Sequence, residues 1–225
     1  MSARKLNPPV KKSPKRILLV EDHPIMREGL CSTINREADM TVCCDVDTAA
    51  KAMDAARKGR PDIALIDITL PGKSGLELIK DLKASYPELP VLVLSMHDES
   101  LYAERALRAG AAGYVTKQQP PEEVIKAIRQ VFGGKVYVSA EMSTTLIQGL
   151  SGKRNASAAS PMGILTDREF EILQLLGSGK GTKEIADHLH LSPKTVGVHN
   201  AHIRQKLNLK TNAQLIRYSV QWQNV

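Results

Sequence analysis

Between Arg16 and Val138 the chain alternates short aliphatic runs with amphipathic stretches, and this alternation constrains the fold more than any other feature. The runs are ILLV (17–20), MTVCC (40–44), IALI (63–66), VLVL (91–94) and GYV (113–115). They are apolar without a polar alternation, the signature of strands buried on both faces. The stretches between them carry Met26, Leu30 and Ile34; then Leu78, Ile79 and Leu82; then Ala103, Ala106 and Leu107. After Pro121 come Val124, Ile125, Ile128 and Val131. Spacings of three and four mark the buried face of a helix. Strands and helices in this order predict an α/β domain over 16–138, a five-stranded parallel sheet with helices on both faces.

The flanking segments read differently. Residues 1–15 hold prolines and charges without periodicity, as a disordered basic tail does. Residues 139–160 read as a linker, with a short helix in the first half and a Ser/Ala/Gly-rich second half. Residues 161–225 predict an all-α domain of four helices. Thr166 and Glu169 form a capping box that starts the first helix. GSGKGT breaks it, KEIADHLH forms the second, and LS makes a tight turn with Ser192 as N-cap and Pro193 at the first helical position. KTVGVHNAHIRQKL and TNAQLIRYSVQW supply the last two.

The net charge of +7 is unevenly spread: residues 17–138 are acidic overall, and from His188 onward there are five Lys/Arg and no acid. A basic C-terminal segment beside an acidic domain points to a polyanion partner, with a merely solvated charged face as the alternative. Cys31, Cys43 and Cys44 make neither a disulfide framework nor a zinc-ligand spacing. A reducing cytoplasm is the expected location. No apolar run approaches a membrane span.

Asp67 raises the chemical question. It closes a greasy strand, where a lone carboxylate is costly unless something pairs with it. Glu21 and Asp22 follow the first strand, Ser95 ends the fourth, and Lys117 lies just past the fifth. All fall at the carboxyl ends of parallel strands, where open α/β sheets bind ligands. Three convergent carboxylates repel unless a cation joins them, and hard oxygen ligands favour Mg²⁺. Lys117 and Ser95 would then hold an anionic group on Asp67.

LLVEDHPIMREGL, IALIDITLPGKSGLELI, VLVLS and AGAAGYVTK resemble the receiver domain of two-component response regulators. LTDREFEILQLLGSGKGTKEIADHLHLSPKTVGVHNAHIRQKL resembles the LuxR-type helix-turn-helix domain, and the combination is that of the NarL/FixJ subfamily. The resemblance implies a flavodoxin-like receiver with Asp67 as phosphoacceptor. It implies Mg²⁺ on Glu21, Asp22, Asp67 and the Thr69 backbone carbonyl. Ser95 and Lys117 would contact the phosphoryl oxygens, and Tyr114 would be the aromatic that turns inward as Ser95 shifts. Thr69 and His97 match positions that border the phosphoryl group. Implied partners are a sensor histidine kinase, double-stranded promoter DNA and a second copy of the chain, with RNA polymerase as a further candidate and no membrane. Haloacid-dehalogenase-type phosphatases need a second acid two residues after the nucleophile. Here that position is Thr69, so turnover of an external substrate is not expected. The alternatives are a receiver that never accepts phosphate, or a regulator set by protein partners or ligands.

In the helix-turn-helix, Ile185, Ala186 and Leu189 are expected to pack on Val196, Ile203 and Leu207, leaving the other face of the second helix for the major groove. Candidate DNA contacts are Thr182, Lys183, Lys194, Thr195, Gly197, Val198, Ala201, His202, Lys206 and Lys210. Gly197 and Ala201 stand where many members of the family carry lysine. The pairs His188/His190 and His199/His202 lack a cysteine or acid at ligand spacing, and no metal is expected there.

Overall fold

A computed structural model describes residues 13–97, 99–150 and 161–223. The expected tail up to residue 12 and the Ser/Ala/Gly-rich half of the linker lie outside the described residues. The expected sheet is present: β1 (Lys15–Val20), β2 (Met40–Val46), β3 (Ile63–Asp67), β4 (Val91–Ser95) and β5 (Gly113–Thr116) pair in parallel in the order β2-β1-β3-β4-β5. β1 starts at Lys15, one residue before the expected boundary, and Lys15 pairs with Asp62. Every residue of β3 and β4 is buried, which is why these strands show no polar alternation.

Helices α1 (Pro24–Asn35) and α5 (Pro121–Phe132) cover one face. Helices α2 (Ala49–Gly59), α3 (Gly75–Ser85) and α4 (Glu99–Arg108) cover the other. Caps set where they begin: Thr48 Oγ1 accepts from the Lys51 N–H, and Ser74 Oγ from the Leu76 N–H. The strand order reverses at β1 and β3, which opens a crevice above their carboxyl ends.

After the sheet, α6 (Ala140–Leu150) is tethered to α4: the Ser139 N–H donates to Glu99 Oε1. The short α7 (Pro161–Ile164) leads into the helical domain of α8 (Asp167–Gly177), α9 (Thr182–His188), α10 (Pro193–Lys206) and α11 (Asn212–Gln223). The Thr166–Glu169 capping box is formed in both directions. Ile185, Ala186, Leu189, Val196 and Ile203 are buried together, with Leu207 packed against them. The core of the helical domain is continuous with that of the α3–α4 face of the sheet domain.

Candidate functional site

β1, β3 and β5 end around one crevice. Lys117 Nζ lies 2.8 Å from Asp67 Oδ2 and 2.5 Å from Glu21 Oε2, bridging acids from two strands. Glu21 and Asp67 are buried. Asp67 Oδ1 accepts from the Thr69 N–H at 3.2 Å. His23 Nδ1 stands 2.7 Å from Asp22 Oδ1 and 3.1 Å from Glu21 Oε1, so a histidine joins the acids. One ligand atom each from Glu21, Asp22, His23 and Asp67 falls within 4.8 Å of the others. The acids thus present hard oxygens to one centre, a donor set that suits a cation such as Mg²⁺. Gly75 makes the geometry reachable. A Cβ there would fall 2.0 Å from the Asp67 carbonyl oxygen, so only glycine lets α3 start against the end of β3.

Burial and the Glu21 charge push the Asp67 carboxyl up to about 7, against the pull of Lys117. Burial lowers the Lys117 ammonium, but Asp67 and Glu21 outweigh it and the net shift is upward. Asp67 therefore keeps its proton to a higher pH than an ordinary carboxyl.

His97 is the hub of the crevice wall. Its ring Nε2 lies 3.1 Å from Thr69 Oγ1, its N–H donates to Ser95 Oγ at 3.1 Å, and its carbonyl accepts from the Tyr114 hydroxyl at 3.0 Å. Burial, with the nearby His188 and Lys117, pushes its pKa down to about 4, so the ring is neutral at pH 7. Tyr114 is buried and already turned inward. From His97 the contacts leave the sheet domain. Its ring stacks on Tyr102 at 4.5 Å, Tyr102 meets Phe170 edge-on at 5.2 Å, and Phe170 meets Trp222 at 5.4 Å.

A set of ion pairs surrounds that aromatic path and joins α3 and α4 to α8. Arg105 Nη1 lies 3.0 Å from Asp167 Oδ1, both Arg105 terminal nitrogens donate to the Leu165 carbonyl, and its guanidinium sits 4.1 Å over the Phe170 ring. Lys80 Nζ holds the other Asp167 oxygen at 2.6 Å. Arg168 pairs with Glu171 and donates to the carbonyls of Gly72 and Leu189, while the Ser74 hydroxyl donates to Glu171. At the α9–α10 turn, His190 Nε2 comes within 3.8 Å of Asp22 Oδ2. None of Tyr102, Arg105, Asp167, Arg168, Phe170 or Glu171 was singled out by the sequence. Each reads there as an ordinary helix residue, and nothing local marks it as an interdomain contact.

The helix-turn-helix keeps its outer face open. Thr182, Lys183, Lys194, Gly197, Val198, Ala201, His202 and Lys210 are exposed. Thr195 is half-buried, its hydroxyl against Ser192 Oγ, and Lys206 is turned back 2.7 Å from Glu169 Oε2. His188, His190, His199 and His202 form no metal-ligand group among the described residues.

A doubly wound parallel sheet with acids and a lysine converging at its strand ends, fused to a helix-turn-helix, defines a signal-receiving domain joined to a DNA-reading one. Residues 17–129 match the response regulator receiver domain, and residues 163–219 match the bacterial regulatory proteins of the luxR family. The chain is 39% identical over 212 residues to the oxygen regulatory protein NreC of Staphylococcus carnosus (strain TM300), covering 91% of this chain and 96% of that one. A LuxR-family two-component response regulator from Aurantimonas sp. SI85-9A1 is 34% identical, with a TM-score of 0.57 over 62% of this chain and 99% of that structure. The RcsB response regulator of Salmonella typhimurium shares the fold, with a TM-score of 0.64 at 23% identity over 94% of this chain and 99% of that one. The chain therefore belongs to the NarL-type response regulators, transcription regulators that join a receiver domain to a LuxR-type DNA-binding domain. No helix among the described residues is long and apolar enough to cross a membrane.

Proposed function

We propose that Asp67 is the phosphoacceptor through which a sensor histidine kinase controls DNA binding by α10. The observation that carries this reading is the Lys117 bridge between Asp67 and Glu21, in a pocket that gathers a third carboxylate, Asp22, beside them. Glu21, Asp22, Asp67 and the Thr69 carbonyl would hold Mg²⁺, which supplies charge neutralisation as the carboxylate meets an incoming phosphoryl group. Asp67 attacks phosphorus and the donor leaves; Lys117 stabilises the charge on the phosphoryl oxygens. The Ser95 hydroxyl donates to one of them once it no longer serves the His97 N–H. Hydrolysis of the acyl phosphate by the protein itself follows from the same chemistry, with Thr69 and His97 bordering the bond.

Beside the pocket, a cavity of about 450 Å³ is lined by Glu21, His23, Ile25, Met26, Gly29, Met96 and Lys117. Ile25 and Met96 are exposed, an apolar rim suited to a kinase helix. Movement of Ser95 and Thr69 toward a phosphoryl group pulls on His97, and through Tyr102 on Phe170, which frees the helical domain to bind a promoter as a dimer. RcsB has been captured bound to promoter DNA with a phosphomimetic, and as dimers on DNA.

The test pairs label incorporation from a small acyl-phosphate donor with DNA affinity. Asp67→Asn loses label and response together, whereas Lys117→Ala still takes label but responds weakly. Label that persists in Asp67→Asn assigns the phosphoryl group to another residue.

A further inference from the structure

Strand β2 contains a fault that places two thiols side by side. Ile17 pairs with Val42 but Leu18 pairs with Cys44, so Cys43 is an extra residue opposite no partner. In a regular strand successive side chains point to opposite faces. Here Val42 packs with the α1–α5 side, whereas Cys44 packs with the α2–α4 side. Cys43 turns the same way as Cys44: a Cβ placed on Gly59 would meet Cys44 Sγ at 2.7 Å and Cys43 Sγ at 3.5 Å. Cys44 Sγ lies 4.0 Å from the Ala55 carbonyl oxygen. Arg16 holds the cradle in place, donating to the Gly59 carbonyl at 2.8 and 3.0 Å. Strand β2 is an edge strand and both cysteines are half-buried, so the pair can be reached from solvent.

We propose that Cys43 and Cys44, whose sulfurs both lie against Gly59, form a dithiol site that captures one trivalent oxo species of arsenic or antimony, bridged between the two sulfurs. Two simpler fates fit less well. A direct disulfide favours Cα atoms about 4.4–6.8 Å apart, whereas adjacent Cα atoms stand about 3.8 Å apart; a bridging atom relieves that mismatch. A soft metal cation needs thiolates, and burial together with Cys44 pushes the Cys43 thiol up to about 11. An oxo species condenses with protonated thiols. Two S–H bonds break, two bonds from sulfur to the trivalent atom form, and both protons leave on its oxygen as one water. The oxidation state does not change, so no oxidant is required. Cys31 takes no part, because α1 covers the opposite face of the sheet.

The probe is phenylarsine oxide added to the reduced full-length chain, read by intact mass and free-thiol count. One arsenical should bind per chain with loss of one water, and the free thiols should fall from the three of the sequence to one. Cys31→Ala should still capture it. Cys43→Ser and Cys44→Ser should each bind at least roughly a hundredfold more weakly, since the second bond is no longer intramolecular. Gly59→Ala keeps both thiols but fills the cradle, and it should also weaken capture. Far-UV circular dichroism checks that the variants fold, with Cys43→Ala as a replacement if Cys43→Ser does not. Three free thiols in the treated wild type, or undiminished capture by either serine variant or by Gly59→Ala, would overturn the proposal.

Discussion

The acidic pocket and the clasp between the domains are both buried and charged, and the stack of His97, Tyr102 and Phe170 connects them. Their charge budgets differ. In the pocket, Glu21 and Asp67 share one ammonium, Lys117, while Asp22 has only histidines close by, His23 at 2.7 Å and His190 at 3.8 Å. In the clasp, Asp167 and Glu171 meet Arg105, Arg168 and Lys80, and spare guanidinium donors reach the carbonyls of Leu165, Gly72 and Leu189. Buried charge is tolerated where it is paired and hydrogen-bonded. The clasp meets that condition and holds the domains together. The pocket meets it only in part, with one ammonium for two buried acids, and it gains most from a new cation or from replacing a carboxylate charge with a group that Lys117 can neutralise. The contrast marks which buried charges serve a reaction and which serve an interface.

The comparison breaks most readily at Arg105. Arg105→Ala leaves Asp167 with Lys80 alone, and losing one partner of a buried pair costs about 3–5 kcal/mol. Arg105 lies on α4 and Asp167 on α8, so the expected result is an opened interface between the domains. Trp222 is the only tryptophan and lies edge-on to Phe170, so its emission reports the change. Hydrogen exchange in α8 should quicken while label uptake at Asp67 survives. Unchanged emission and exchange would mean that the clasp does not hold the domains.

The pocket's surplus of negative charge should appear as a pH slope. The Asp67 carboxyl ionises near 3.8 in the ordinary state and near 7 in the folded one. Between those values the folded protein keeps a proton that the unfolded chain has released. Stability from this group is therefore complete below about pH 3.8 and lost as pH rises through 7, at up to about 1.4 kcal/mol per unit. Burial also raises Glu171, while His97, held down to about 4, contributes stability that rises with pH over the same range. The decisive comparison is therefore that Asp67→Asn should lose less stability than the wild type as pH rises. Urea unfolding at pH 5 and 7.5, with a chelator present, measures the difference. Added Mg²⁺ should flatten the wild-type slope and leave Asp67→Asn unchanged. A steep slope retained in Asp67→Asn would locate the excess charge elsewhere.

Much of the sheet and the pocket was legible in the sequence, because both are written in local patterns. β3 and β4 are buried at every position and read as continuous apolar runs. Glu21, Asp67 and Lys117 end strands, so sheet topology alone brings them together. The clasp was not legible, because each of its residues has an ordinary local reading. Spacing assigned Ala103, Ala106 and Leu107 to the inner face of α4. In the structure Ala103 and Ala106 are buried and Leu107 only half-buried, whereas Tyr102 and Arg105 are buried, since α8 covers a second face of that helix. The charges that allow this lie 62 residues apart, in Arg105 and Asp167. The fault at Cys43 was hidden for a different reason: one extra apolar residue in strand β2 leaves its apolar run intact.

The smallest expected effect sharpens the comparison by asking what the clasp leaves uncovered. It grips the helical domain through α8 and the α9–α10 turn, while Gly197 on α10 has no atom within 4 Å of where a Cβ would stand. A lysine placed there meets open space. Gly197→Lys should therefore leave the Trp222 emission of the closed form unchanged. It should stabilise α10 by up to about 1 kcal/mol, from the gain in helix propensity over glycine. It should also add one phosphate contact, steepening the salt dependence of DNA affinity by about 0.9 in slope and tightening scrambled and specific duplexes alike. The measurement is binding to both duplexes at two salt concentrations, with emission recorded in parallel. Weaker non-specific binding would show that α10 does not lie against DNA by this face. A shift in Trp222 emission without DNA would show that the closed form covers the face after all, and the clasp would then restrain DNA binding by blocking α10 directly.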